Sequence, residues 1–254
     1  MKTPQQLLHR LDAIGESLRV SGDALALLGL GSVGTETARL DAYSDLDFFA
    51  IVREGYKAHY IDKLDWLSNI NPIAYAVRNT VDGYKVLFED GIFCEFAVFE
   101  PDEMAKIPFS AGRIVWKTGD FDESVCKPSE VTPPSQHPVE FHLGEALTNL
   151  YVGLGRYHRG EKLSAARFIQ NYAVDQILQL AGRIETAQPA LVDVYNAERR
   201  VEQRFPNLAT HLPKFIQGYD RSPESALAIL EFLEAHFEVN KAIAAQIRAL
   251  CVID

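Results

Sequence analysis

Residues 27–52 of the chain read LLGLGSVGTETARLDAYSDLDFFAIV, and their pattern is the clearest indication of the fold. It joins two apolar runs, ALALLGL (24–30) and LDFFAIV (46–52), through a polar segment. Short apolar runs bounded by turn residues predict buried β-strands. The polar segment starts at Gly31-Ser32 and ends at Ser44-Asp45-Leu46-Asp47. We therefore expect two strands with polar groups at their connected ends.

Asp45 and Asp47 stand two residues apart where the chain enters the second run. Because side chains alternate along a strand, the two carboxylates are predicted to point to the same side, with their Cα atoms roughly 6.5 to 7 Å apart. Two carboxylates at the mouth of so apolar a strand are costly unless a cation neutralises them. Mg²⁺ prefers oxygen ligands of this kind, and nucleotide phosphates commonly complete its shell. The pattern predicts a magnesium site that binds a nucleotide.

A third carboxylate, Glu95, interrupts another apolar run, IFCEFAVFE (92–100). This run follows GYKVLFE (83–89), and the Asp90-Gly91 pair between them is typical of a hairpin turn. If the strand of Glu95 neighbours the strand of Asp47, Glu95 joins the site as a third metal ligand or as a general base. The competing interpretation places Glu95 on a solvated sheet face without a role in the site.

The order of these motifs, Gly-Ser after a strand, then Ser-Asp-x-Asp into a second strand, then an acid on a later strand, resembles the DNA-polymerase-β-like nucleotidyltransferase superfamily. The segments YSDLDFFAIV (43–52), CEFAVFEPDEM (94–104) and YHRGEKLSAARF (157–168) are similar to its antibiotic-modifying branch. The likeness is greatest to lincosamide nucleotidyltransferases and more distant to aminoglycoside nucleotidyltransferases. It covers most of the first half of the chain and the second half loosely.

The resemblance implies roles for particular residues. Gly31 and Ser32 would hold a triphosphate, Asp45 and Asp47 would bind Mg²⁺, and Glu95 would be a ligand or the base. Ser44, beside the first aspartate, is assigned to nucleotide binding. Arg39 in the polar segment is either a contact of the triphosphate or a solvated loop arginine.

The implied reaction transfers a nucleoside monophosphate, AMP from ATP, to a hydroxyl of a small molecule by Mg²⁺-dependent in-line displacement. A lincosamide or aminoglycoside acceptor would make the protein an antibiotic-resistance enzyme. Two alternatives stay open at this point: a noncatalytic nucleotide-binding or regulatory protein on the same fold, and nucleotidylation of a protein substrate.

The segment SEVTPPSQHP (129–138) separates two differently patterned halves. We predict a nucleotidyltransferase domain at 1–130 and a helical substrate-binding or accessory domain at 131–254, an α+β fold with a mixed sheet followed by a helical bundle. Strands are expected at 24–30, 46–52, 72–78, 83–89 and 92–100, with helices at 2–20 and 56–69. Helices are expected in the second half at about 138–158, 161–183, 190–204 and 223–250.

Charged residues of the second half have two possible roles. The basic residues near a helix–helix turn either reach nucleotide phosphates or form a surface charge run. The glutamates of the first helix carry no assignment. These residues are Glu140, Glu145, Arg159, Lys162 and Arg167.

The composition excludes several classes of protein. With 254 residues, 47% apolar and 24% charged, the chain is typical of globular proteins. Its longest apolar run, 24–31, is far shorter than the roughly 18 residues of a membrane helix, and its start lacks a signal-peptide core, so a cytoplasmic protein without a membrane partner is expected. Cys94, Cys126 and Cys251 form no CxxC pair, which indicates reduced thiols.

The net charge bears on the partners. The chain carries 25 basic and 35 acidic residues, a net charge of -10, which disfavours nucleic acid as a partner. Residues 1–130 hold 13 of the basic and 21 of the acidic residues, so a small cationic acceptor would be attracted to this half. The oligomeric state is left open, with a homodimer among the options.

Overall fold

The structure, a computed structural model, describes residues 2–128, 137–193 and 196–252. Contacts divide the chain into two compact units, Met1–Thr132 and Pro133–Asp254. The boundary predicted between 130 and 131 falls within 129–136, which lies outside the described residues. Each unit is therefore described by itself.

The first unit consists of helices and strands that alternate along the chain. Helix α1 begins at a capping box formed by Thr3 and Gln6 and ends at Gly22, which adopts a left-handed conformation. In chain order the elements are α1 (Pro4–Ser21), β1 (Ala24–Gly29), β2 (Leu46–Val52), α2 (Lys57–Asp62), α3 (Asp65–Ser68), β3 (Ile73–Arg78), β4 (Gly83–Phe88), β5 (Phe93–Phe99), α4 (Pro101–Met104) and β6 (Arg113–Lys117).

The six strands in the described part of this unit form one sheet in the order β3-β4-β5-β2-β1-β6. Strands β2 and β5 pair in parallel, and the other neighbours pair antiparallel. The predicted mixed sheet with helices is confirmed. Two details differ from the prediction: strand β6 was not expected, and the helix expected at 56–69 is two short helices, α2 and α3.

The alternation of side chains in β2 assigns the two faces of the sheet. Leu46, Phe48 and Ala50 are buried in a core that includes the apolar side of α1. On the opposite face, Ile51 belongs to a smaller core, and the ring of Phe49 packs edge-on against Phe99 and Phe109. Asp47 alternates with Phe48 and therefore lies on this second face. It is near the start of β2, before Phe49 and Ile51, which contact the smaller core.

The second unit is helical, and its described residues contain no strand. The predicted helical bundle is confirmed by an apolar core built from residues such as Leu150, Ile177 and Leu230. The elements are α5 (Val139–His158), α6 (Lys162–Ala166), a π-helical segment (Arg167–Tyr172), α7 (Ala173–Ile184), α8 (Val201–Arg204), α9 (Pro206–Ala209), α10 (Leu212–Phe215), α11 (Ser222–His236) and α12 (Lys241–Cys251).

The helix predicted at 190–204 is wrong, since only α8 forms there among the described residues. The side chain of Asp193 accepts a hydrogen bond from the backbone N–H of Asn196 at 3.1 Å. Arg200 then adopts a left-handed conformation with φ 62°, so a helix cannot pass through it.

The single helix predicted at 223–250 is also wrong, because the structure divides this region into α11 and α12. Asn240 caps α12, and its side chain accepts hydrogen bonds from the backbone N–H groups of Ala242 and Ile243. Apolar residues continue through the segment between α11 and α12, so the capping residue Asn240 is the sequence feature that indicates the break.

Across the described ranges, the helices are too short or too polar to cross a membrane.

Candidate active site

The polar segment between β1 and β2 begins with a tight turn at Gly31. Strand β1 is tied to β2 at this end, since the N–H of Leu30 donates to the carbonyl of Asp47 at 2.8 Å. A 3-10 turn over Gly31–Val33 follows, and the N–H of Gly34 donates back to Leu30 and Gly31. Gly31 has φ 53°, a left-handed conformation that favours glycine.

A guanidinium and a carboxylate lie against Gly31. A Cβ placed on this residue would stand 2.9 Å from Nη2 of Arg39 and 3.5 Å from Oδ2 of Asp47. Arg39 is fixed from its other side by Glu36, to which its Nε donates. The absence of a side chain at Gly31 therefore leaves a small space bordered by a cation and an acid.

The turn also offers backbone donors, as the first N–H groups of a helical turn lack partners within it. The N–H groups of Gly31 and Ser32 are the first two of this turn. Gly31 is half-buried, whereas Ser32 is only 2% exposed. A phosphate would thus meet the Gly31 side of the turn first.

Strand β6 holds the turn from outside. Nη2 of Arg113 donates to the carbonyl of Val33 at 3.1 Å, and the hydroxyl of Thr35 donates to the carbonyl of Ala111 at 3.2 Å. Neither contact was predicted from the sequence. The signal is weak, because Arg113 comes directly before a short apolar run far from the motif in the chain.

Ser44 and Asp45 follow in the approach to β2. The hydroxyl of Ser44 donates to Oδ1 of Asp41 at 3.2 Å and closes a turn that also includes Tyr43. Asp45 is half-buried and immediately precedes β2. Ser44 therefore shapes the loop that leads into Asp45 and β2.

The sheet brings Asp47 and Glu95 side by side. They are direct partners across the parallel pair β2 and β5. Glu95 in turn pairs with Lys85 on β4, and Lys85 pairs with Val77 on β3. Because cross-strand partners share a face, these four side chains form one row across the sheet. We call Asp47, Glu95, Lys85 and Val77 the charged row.

Two donors hold the carboxylate of Glu95. The amide Nδ2 of Asn79 donates to Oε1 at 2.8 Å, and Nζ of Lys85 lies 3.3 Å from Oε2. The Glu95 side chain remains 42% exposed, so it is both oriented and accessible. Neither partner was predicted from the sequence, although a hairpin about Asp90 places Lys85 opposite Glu95.

Asp45 and Asp47 also affect the pKa of a buried thiol, that of Cys94. Burial raises the pKa of the Cys94 thiol to about 12; Arg10 opposes this shift, while Asp47 and Asp45 add to it. Both aspartates therefore lie near enough to β5 to affect its electrostatics.

The donors suit a hard cation in kind, since the carboxylate of Asp47 offers oxygen atoms beside the Gly31 turn and Asp45 supplies a second carboxylate two residues earlier in the chain. Within the described ranges, no three His, Cys, Asp or Glu side chains are grouped closely enough to hold a metal by themselves. The structure brings Asp47 to Gly31, Arg39 and the strand of Glu95, and it does not gather Asp45, Asp47 and Glu95 into a closed cluster.

The charged residues singled out in the helical unit lie at its surface. Arg159 pairs with Glu161 at 3.1 Å, and Lys162 pairs with Asp220 at 3.0 Å. Three further residues are exposed: Glu140, Glu145 and Arg167. These contacts agree with a surface charge run and assign no role in chemistry.

Comparison with known proteins gives little beyond this geometry. No family model matches the chain, and no curated protein sequence matches it. Among solved structures, it is similar to an aminoglycoside 6-adenyltransferase from Bacillus subtilis. The identity is 12%, the TM-score is 0.35, and the alignment covers 98% of this chain and 92% of that chain.

Proposed function

We propose that this protein is a Mg²⁺-dependent nucleotidyltransferase that transfers AMP from ATP to a hydroxyl of a small molecule. One observation carries the proposal: the left-handed Gly31 is bordered by Arg39 and Asp47, and Asp47 pairs directly with Glu95 on the neighbouring strand. An anion-binding turn, carboxylates for a metal and a further accessible carboxylate are the groups that this transfer requires.

Each residue has a task in the proposed reaction. The Gly31 turn and Arg39 bind the triphosphate, with Ser32 and Ser44 supporting their loops. Asp45 and Asp47 hold Mg²⁺, which, when bound, supplies neutralisation of the phosphate charge. Residues 131–254 are proposed as the substrate-binding or accessory domain.

Glu95 is proposed as the general base. Its carboxylate is accessible and accepts the proton of the acceptor hydroxyl on one oxygen, while Asn79 and Lys85 keep it in position. We favour this role over that of third ligand because Mg²⁺ commonly takes one or two protein carboxylates, which Asp45 and Asp47 already supply.

The sequence indicates which acceptor compounds should be tested. Lincosamides and aminoglycosides belong in it because YSDLDFFAIV and CEFAVFEPDEM resemble enzymes that modify these antibiotics. If one of them accepts AMP, the protein acts in antibiotic resistance. Nucleotidylation of a protein is tested with cell extract as the acceptor.

The decisive experiment measures transfer of label from α-³²P-ATP in the presence of Mg²⁺, together with calorimetric binding of Mg-ATP. Asp45→Asn and Asp47→Asn should each lower transfer by about two orders of magnitude or more, because charge stabilisation in the transition state is lost. Asp12→Asn, on the exposed side of α1, is the matched control and should behave as wild type.

The outcomes separate the alternatives. Activity of Asp45→Asn or Asp47→Asn within a few-fold of wild type would show that the proposed site is wrong. Tight Mg-ATP binding without transfer to any acceptor would instead indicate a noncatalytic nucleotide-binding protein.

A further inference from the structure

An exposed apolar surface continues the charged row on the same face of the sheet. Tyr75 and Val77 on β3 are 57% and 40% exposed, and Leu87 on β4 and Phe93 on β5 are half-buried. Tyr75 pairs with Leu87, and Leu87 pairs with Phe93. We call these four residues the apolar shelf. Its members share one face because cross-strand partners point the same way.

The apolar shelf adjoins the carboxylate proposed as the base. Phe93 and Glu95 are two residues apart on β5, and Leu87 and Lys85 are two residues apart on β4. Neighbouring strands lie about 4.8 Å apart, so Leu87 is one strand from Glu95 and Tyr75 is two. A molecule of ordinary ligand size with one hydroxyl at Glu95 would extend over the apolar shelf.

The geometry of the proposed reaction indicates which substrate would lie over the apolar shelf. In an in-line displacement, the attacking oxygen and the departing pyrophosphate stand on opposite sides of the α-phosphorus. The Gly31 turn and Arg39, which take the triphosphate, are at the β1 side of Asp47. The acceptor must therefore approach from the opposite side, where β5, β4 and β3 lie.

We propose that the apolar shelf binds the acceptor, and that the acceptor is a hydroxyl compound with an aromatic or other flat apolar face. This inference rests on the proposed function. Tyr75 offers a ring for stacking, and Leu87 and Phe93 extend the apolar contact. Lys85 stands beside the shelf and is paired with Glu95, so the shelf itself offers apolar contact and no unpaired charge among its four residues.

The test compares two probes that differ by one ring: phenyl β-D-glucoside and methyl β-D-glucoside. Their dissociation constants are measured by NMR titration with the full chain, with and without Mg-ATP. Wild type should bind the phenyl compound about fivefold more tightly, as expected for an aromatic contact. Tyr75→Ser should remove this preference, whereas Tyr75→Phe should keep it.

A second pair of variants checks the surface. Val77→Ser should weaken binding of the phenyl compound, while Val20→Ser, the same change at an exposed position of α1, should have no effect. Equal affinity of wild type for both glucosides would overturn the proposal. A preference that survives Tyr75→Ser, or tighter binding of an aminoglycoside that Tyr75→Ser does not weaken, would also overturn it.

The proposed function is judged separately, by Mg-ATP binding and its loss in Asp45→Asn. Selective binding of the phenyl compound by a protein that binds no Mg-ATP would retain the ligand surface and remove the transferase. Mg-ATP-dependent transfer without a preference for the phenyl compound would retain the transferase and remove the ligand surface.

Discussion

At the scale of single residues, the site depends on a position that has no side chain. Gly31 is left-handed, and the space beside its Cα is bordered by Arg39 and Asp47. The same residue therefore meets a backbone requirement and keeps a cation next to an acid. A substitution there changes both properties at once.

Gly31→Ala is expected to weaken Mg-ATP binding by about tenfold or more, because the new methyl group displaces the flexible end of Arg39, which binds phosphate in our proposal. The left-handed backbone adds a stability cost of about 1 to 2 kcal/mol. Gly22→Ala is the control, since Gly22 has φ 85° and open space around it. It should lose similar stability and retain Mg-ATP affinity in calorimetry; equal loss of affinity in both variants would refute the role of Arg39.

Glu95→Gln should lower turnover by about two orders of magnitude and leave calorimetric Mg-ATP affinity near wild type, because a base acts on the acceptor and a ligand acts on the metal. The amide keeps the size of the side chain, so the contacts with Asn79 and Lys85 change least. Affinity lost as severely as in Asp45→Asn would make Glu95 the third ligand. Unchanged turnover would remove it from the site.

The residues that the sequence identified and those that it missed differ in their distance along the chain. The juxtaposition of Gly31 and Asp47 follows from two strands joined by one segment, and the predicted second strand has the observed bounds, Leu46–Val52. Lys85 was within reach of the same reasoning, since the hairpin is symmetric about Asp90. Arg113 was not, because nothing in its own segment indicates contact with Val33.

At the scale of elements, the local sequence pattern predicted the secondary structure correctly where only one structure was favoured. It failed where a second local preference opposed the first. The Asp90-Gly91 turn correctly predicted the β4–β5 hairpin, in which Gly91 has φ 82°. Across 190–204 an apolar period favoured one helix, but Arg200 adopts a left-handed conformation, and among the described residues only α8 forms there. Such competition is decided by tertiary packing, which a period does not contain.

The β4–β5 hairpin depends on Gly83, where a Cβ would stand only 1.9 Å from the carbonyl oxygen of Phe96. Gly83→Ala should therefore push the strands apart and lower the free energy of unfolding by about 3 kcal/mol or more, as measured in urea. Gly182→Ala, in open space on α7, should instead stabilise by up to about 1 kcal/mol. Similar effects of the two alanines would show that the close approach at Gly83 is absent in solution.

At the scale of the whole molecule, the chain divides into two units, and the cysteines can be used to monitor the unfolding of each unit separately. Cys94 and Cys126 belong to the first unit and Cys251 to the second. Burial raises the pKa of Cys94 to about 12 and those of Cys126 and Cys251 to about 11. All three thiols are therefore predicted to be protonated at neutral pH, and a structural cysteine of this kind is inert.

Alkylation with iodoacetamide at pH 8 is expected to be slow for each native thiol, because a pKa raised from 9.0 to about 11 lowers the thiolate fraction about a hundredfold. Peptide mapping across a urea series should show Cys94 and Cys126 reacting together as their unit unfolds. Fast labelling of Cys94 in the native protein would contradict its burial.

The parallel pairing of β2 with β5 also determines when the site forms during folding. The pairs β1–β2 and β4–β5 each join strands that follow one another along the sequence, whereas Asp47 meets Glu95 only when these two pieces dock. Pairings between distant segments form late and slowly. We expect the docking step to bring two negative charges together, with Lys85 offsetting the repulsion, so low ionic strength should slow refolding more in Lys85→Met than in wild type.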